Sequence, residues 1–345
     1  MPGLNKTTKS IIRFSIIMLL CLHRPSVHAQ PLQQTSSGSL IGKPYIQWVG
    51  EWPEPGGKMA KSGFKEQFTA LLFGKRNPVP ANPLTVLAYS ESHFLFTDQG
   101  ATTLFEVKDK LGDIPQSVGR SDLPFSALVG ICAGPDESVF FADARLRSVF
   151  RIDKGARRLI TVVDSNQLLQ PAGIVFNPLT REIWVSDTKS HMLKVFSEGG
   201  ELLRTIGSRG TGDGEFNFPG LMCIDNKGTV YVVDAMNFRI QMFNASGEFI
   251  GKFGEPGDAS GYFARPKGIA VDSYGHIYIS DALFHAVQVF DSTGVLLYRF
   301  GNQGHGNGEF WVPSGISIDS QNFIYVADTY NARIQIFQFI QKEEK

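Results

Sequence analysis

An all-β fold, a six-bladed β-propeller of four-stranded antiparallel blades, follows from three features of this 345-residue chain. An apolar strand closed by Asp recurs six times. The recurrences keep a nearly constant spacing. The strands are apolar at almost every position. A period of about 45 residues marks propeller blades. A small sheet that is apolar on both faces must be covered on both by its neighbours. Radial packing about an axis provides that cover and leaves only short sheet edges.

The six anchors are Asp98, Asp143, Asp187, Asp234, Asp281 and Asp328, spaced by 45, 44, 47, 47 and 47 residues. Each closes a short run such as Phe94-Leu95-Phe96-Thr97 or Ile324-Tyr325-Val326-Ala327. The fifth unit shows the whole pattern. Pro266 to Asp272 is a first strand and Ser273-Tyr274-Gly275 a turn. Ile277 to Ser280 is the second strand, Val287 to Phe290 the third, and Val295 to Phe300 the fourth, after Ser292-Thr293-Gly294. Four β-rich runs divided by turn residues make an antiparallel meander.

The units around Asp234 and Asp328 resemble the NHL repeat. The resemblance rests on Gly214-Glu215-Phe216 through Pro219, Asp225, Val230 to Asp234, Asn237 and Arg239 to Phe243, and on Gly308-Glu309-Phe310, Pro313, Asp319, Asn331 and Arg333 to Phe337. Repeats one to three lack the Asn and Arg. The chain is similar to bacterial exported six-bladed NHL proteins. That resemblance implies a binding or assembly role in the cell envelope.

The sixth unit ends after its third strand, so the ring needs a strand from elsewhere. Tyr45 to Gly50 is β-rich and is expected to pair with Arg333 to Phe337, which removes an exposed edge. Between this closing strand and the first blade, from about residue 84, Phe64, Phe68, Leu71 and Leu72 share one helical face, so a short helix is expected over 64–73. The propeller then spans 44–340, with a linker at 30–43 and a tail at 341–345.

The first 29 residues read as a signal peptide, with Lys6, Lys9 and Arg13 before the apolar stretch Ile11 to Leu22 and small residues near Ala29. That stretch is shorter than the ~20 residues a spanning helix needs. The mature chain is therefore expected to be exported, periplasmic or extracellular, without a transmembrane span. Retention of this segment as an anchor is the alternative. Cleavage leaves 29 basic against 33 acidic residues. A mildly acidic protein lacks the basic footprint that nucleic acid requires. Cys132 and Cys223 fall at equivalent points of the second and fourth blades, with a blade between them, so no disulfide is expected.

Six equivalent Asp residues point to architecture, since a carboxylate after a strand accepts amide hydrogen bonds in a tight turn. Arg239 and Arg333, five residues after their anchors, are expected to clamp turn to strand by Arg–carboxylate pairing. In a propeller, the loop between the second and third strands shares a face with the crossover between blades. That places Arg145, Arg147, His191, Asn237, Phe238 and Phe284 on one side, together with His285, His305, Trp311, Tyr330 and Asn331. Aromatic and Arg side chains suit protein or ligand contact.

His191, His285 and His305 are the candidate metal ligands on that face. No cofactor is expected. The reading is a monomeric, non-catalytic scaffold with a protein partner in the envelope or medium. The competing reading is a metal-assisted lyase or lactonase with its site at the channel mouth.

Overall fold

The computed structural model describes residues 45–53, 80–90, 93–108, 116–117, 125–154 and 159–340. The expected signal peptide, the linker, the helix over 64–73 and the tail at 341–345 lie outside the described residues. Six four-stranded antiparallel sheets form the blades. Their first strands, Pro83–Ser90, Leu128–Ala133, Pro171–Asn177, Pro219–Ile224, Pro266–Val271 and Pro313–Ile318, pack against one another in a closed ring.

Packing follows directly from the two-faced apolar strands. Six apolar clusters occupy the six gaps between neighbouring blades. Trp184 on blade 3 packs with Met222 and Phe243 of blade 4, and Tyr325 on blade 6 packs with Phe94 of blade 1. Among the described residues every apolar cluster spans two blades, so each blade depends on its neighbours.

The chain ends meet in blade 6. Tyr45–Trp52 pairs antiparallel with Arg333–Ile340, from Tyr45 opposite Ile340 to Trp52 opposite Ile334, with one bulge between Trp48 and Gly50. Trp52 is 1% exposed and lies 5.1 Å from Phe96 of blade 1. The closing strand thus completes one sheet and seals the seam with the next.

Small residues let the inner strands approach. A Cβ on Gly268 would lie 2.3 Å from the Ser314 carbonyl oxygen of the next blade, and one on Gly130 would lie 2.4 Å from that of Ala172. Hydroxyls just before the anchors bridge the same gaps. Thr97 donates to the Val129 carbonyl at 3.1 Å, and Ser186 to that of Gly220 at 2.7 Å. The channel inside the ring, lined by residues such as Thr85, Ile131, Ile174, Met222, Ile269 and Ile316, holds about 40 Å³. That volume admits a few waters and falls far below the ~300 Å³ at which small-molecule sites begin.

Candidate functional site

The face carrying the crossovers and the loops after the anchors is built by the six Asp side chains. All six are fully buried. Each reaches back about 17 residues to the amides just before its own blade's first strand. Asp98 accepts from Ala81 and Asn82, Asp143 from Ser126 and Ala127, and Asp281 from Ala264 and Arg265. Asp234 accepts from Asn217 at 2.7 Å and Asp328 from Trp311 at 2.7 Å. The local turn bonds are present as well, for example Arg145 N–H to Asp143 at 2.9 Å. The anchor therefore ties two loops of one face together. For Asp187, burial works to raise the pKa, but the Gln170 amide, the Lys194 ammonium at 2.9 Å and the Leu169 amide outweigh it and hold the carboxyl below its ordinary value.

Arg239 and Arg333 extend this staple to the long glycine-rich crossovers. Arg239 Nε donates to Asp234 at 2.8 Å, while its Nη atoms donate to the carbonyls of Thr211, Gly212 and Glu215. Arg333 Nε donates to Asp328 at 2.8 Å, and its Nη2 to the carbonyls of Gly306 and Glu309. Asn237 and Asn331 bind the carbonyls of Gly210 and Gly304 and the same Asp side chains. In blade 5, Phe284 and Ala286 stand in the places of this Asn and Arg, and Arg299 lies 5.4 Å over the Phe284 ring instead.

The residue four places after each anchor is left-handed in every blade: Thr102, Arg147, His191, Phe238, His285 and Ala332, with φ between 51° and 56°. None is Gly. This turn throws His191 and His285 toward the next blade. His191 Nδ1 accepts the Phe218 amide at 3.2 Å, and His285 Nδ1 accepts the Val312 amide at 3.1 Å. His305 instead bonds Asn331 Oδ1 at 2.6 Å and meets the Trp311 ring edge-on at 5.1 Å. The three histidines are not brought together. Among the described residues, no three His, Cys, Asp or Glu side chains are grouped to hold a metal ion.

The sequence-selected face residues therefore divide. Asn237, Asn331, His191 and His285 are engaged in the scaffold, and Phe238 packs against the core between blades 4 and 5. Arg145, Arg147, His305, Trp311 and Tyr330 stay exposed. Trp311 and Tyr330 pack edge to face at 6.0 Å. Sequence reasoning missed their apolar companions on the same face: Phe218, Met236 and Leu283, which are 42%, 55% and 57% exposed. Met236, Leu283 and Tyr330 all sit two places after an anchor, a regularity the sequence does contain. Lys267, one residue into the first strand of blade 5, is held below the ordinary lysine pKa by burial and then by the charge of Arg265.

His93 and His276 lie on the opposite face, each at the start of or just before the second strand of its blade. Each has an acidic partner. His93 Nε2 lies 2.9 Å from Glu106, and His276 Nδ1 2.8 Å from Asp272. The bond to Asp272 holds the His276 imidazolium and raises its pKa against the cost of burial. Both cysteines are unpaired and half-buried, and burial pushes both thiols up. Among the described residues, no helix is long and apolar enough to cross a membrane.

Residues 310–337 match the NHL repeat, and residues 163–254 match a family described as 6-bladed beta-propeller. No curated protein sequence matches the chain. Several solved structures are similar. A Bacteroides thetaiotaomicron protein of unknown function aligns at 15% identity and TM-score 0.60, over 75% of this chain and 70% of its own. An auxiliary nutrient binding protein from the same organism aligns at 10% identity and TM-score 0.62, over 89% and 79%. A catalytically inactive virginiamycin B lyase from Staphylococcus aureus, solved with quinupristin, aligns at 14% identity and TM-score 0.54, over 77% and 97%. At these identities the likeness concerns the fold, and the repeat, the blade count and the family matches agree: the chain carries an NHL repeat and is a six-bladed β-propeller.

Proposed function

We propose that this propeller is an exported, monomeric binding module that docks a protein partner on the crossover face of blades 4 to 6. One observation carries the reading. Phe218, Met236, Leu283, Trp311 and Tyr330 stand exposed on that one face. Exposed apolar clusters on a soluble domain mark contact sites, and aromatic anchors supply most of the energy in such contacts. The loops beneath them are pinned by buried Asp and Arg side chains, so little ordering entropy opposes docking. Export rests on the basic and apolar pattern of residues 6–29.

The similar structures include both a nutrient binding protein and a lyase. A propeller lyase reading would need acid–base or metal-binding groups converging at the channel mouth. Here the Nδ1 atoms of His191 and His285 already accept backbone amides, and among the described residues no three His, Cys, Asp or Glu side chains are grouped to hold a metal ion. The geometry therefore favours surface binding.

The test is capture of partners from an envelope extract by the wild-type chain and by a Trp311→Ala, Tyr330→Ala double variant. A variant with an exposed outer-strand residue changed, Leu297→Ala, serves as control. Loss of the specific partner in the double variant alone, at unchanged melting temperature, is expected. Equal recovery by all three proteins would remove the proposed face.

A further inference from the structure

Blades 4 and 6 contain the same clamp and differ in what one terminal nitrogen of its guanidinium meets. In both, the guanidinium grips the crossover through Nη2, at 2.7 and 2.8 Å from Gly212 and Glu215 oxygens in blade 4 and at 2.8 and 2.9 Å from Gly306 and Glu309 oxygens in blade 6. The Gln two residues on does the same work in both blades, with Gln241 accepting the Gly214 amide and Gln335 that of Gly308, each at 2.9 Å.

The clamps differ at the other terminal nitrogen. In blade 6, Arg333 Nη1 donates to the Glu51 carboxylate at 2.6 Å. Glu51 stands opposite Gln335 in the closing strand. In blade 4, the residue opposite Gln241 is Lys252. The position held by a carboxylate in one blade is held by a cation in the other, and Lys252 turns aside to the exposed Asp213. A cavity of about 390 Å³ opens at this point, lined by Thr211, Arg239, Lys252, Phe253 and Pro256, with the exposed Glu255 at its edge.

We propose that this blade-4 cavity binds a carboxylate, in the place that Glu51 fills in blade 6. Arg239 spends four of its five N–H donors on Asp234, Thr211, Gly212 and Glu215. The remaining donor is on Nη1, the nitrogen whose counterpart serves Glu51. The Arg239 side chain is 8% exposed, so its geometry is fixed before any ligand arrives. Lys252, 43% exposed and paired with the exposed Asp213, supplies a second cation, and a charge-assisted pair of this kind is the strong form of hydrogen bond. Phe253 and Pro256 give an apolar wall for a short aliphatic stem. The carboxylate has two possible sources, a free small organic acid or the Asp or Glu side chain of a bound protein. The site stands on its own geometry and does not rest on the apolar cluster at Trp311.

The experiment is calorimetric titration of the full chain at fixed ionic strength with three probes: propionate, N-acetyl-glutamate methylamide and inorganic phosphate. Saturable binding of one or both carboxylates is expected. Lys252→Glu moves the Glu51 carboxylate into blade 4, so it should weaken carboxylate binding at least about tenfold without lowering the melting temperature. Lys252→Met, which keeps the cavity and removes the charge, should weaken binding less and serves if the first variant folds poorly. Propionate alone points to a free acid; tighter binding of the blocked glutamate points to a partner side chain. No saturable binding of either, equal affinity in Lys252→Glu, or phosphate binding as tight as carboxylate overturns the proposal. Wild-type carboxylate binding in a Trp311→Ala, Tyr330→Ala protein that has lost its partner would separate the two sites.

Discussion

Arg333 and Glu51 are 282 residues apart in sequence and 2.6 Å apart in space. Their side chains are 9% and 11% exposed. The pair joins the closing strand to the last blade's clamp, where Arg333 also holds Asp328 at 2.8 Å. Glu51→Ala leaves one arm of a nearly buried guanidinium without its carboxylate. Removing one partner of a buried pair costs about 3–5 kcal/mol. Here Arg333 keeps its other acceptors, so about 2 kcal/mol is expected, with a melting temperature several degrees lower by circular dichroism. An unchanged melting temperature would show that the strand pairing alone closes the ring.

The ring of inner strands leads to a second prediction. Gly268→Ala places a methyl 2.3 Å from the Ser314 carbonyl oxygen of the neighbouring blade, and that backbone cannot move without shifting the sheet. Overpacking of this kind costs about 1–3 kcal/mol. Gly199→Ala is the control, because a Cβ there meets only Ser197 Oγ at 3.8 Å. Chemical denaturation should show a lower midpoint for the first and little change for the second. Equal midpoints would mean that the blades are not in close contact at Gly268.

Much of this architecture is legible in the sequence because a repeat states its own rule several times. Six Asp anchors set the blade number, and the missing fourth strand after Gln338 demanded a donor, read as Tyr45 to Gly50, which the structure extends to Trp52. The loop geometry was not legible. The carboxylate of Asp234 binds an amide 17 residues upstream, and Arg239 binds carbonyls 24 to 28 residues away. Backbone acceptors leave no residue-type signature. The left-handed turn at His191, Phe238 and Ala332 carries no glycine to announce it. Met236 and Leu283 escaped because an isolated apolar residue after a strand reads as core, and only the loop's direction turns it outward.

His276 gives a pH test on the opposite face. Its bond to Asp272, at 2.8 Å, raises its pKa above the ordinary histidine value. A folded-state pKa above the unfolded one means that protonation favours the fold. The stabilisation is complete below about pH 6.5 and is lost as pH rises through the folded-state pKa. His276→Gln should therefore be less stable than wild type near pH 5.5 to 6, with the difference narrowing as pH rises through the folded-state pKa. Melting temperatures taken across this range check it; parallel curves for the two proteins would sink the idea.

His285 tests whether the histidines of the crossover face are scaffold. Its Nδ1 accepts the Val312 amide at 3.1 Å, and both residues adopt positive φ, 51° and 58°. His285→Ala removes the acceptor and leaves a residue that disfavours the left-handed turn. Loss of an acceptor for a partly buried amide costs about 1–2 kcal/mol. His285→Asn restores a side-chain acceptor and tolerates the turn, so it should recover part of the loss. Hydrogen exchange at the Val312 amide reads this directly, with protection falling in the Ala variant and partly returning in the Asn variant. A metal-ligand role predicts another pattern, in which added zinc raises the melting temperature of wild type and of neither variant. Because Nδ1 is occupied by the neighbouring blade and the described residues hold no group of three metal-ligating side chains, the exchange pattern is the expected one.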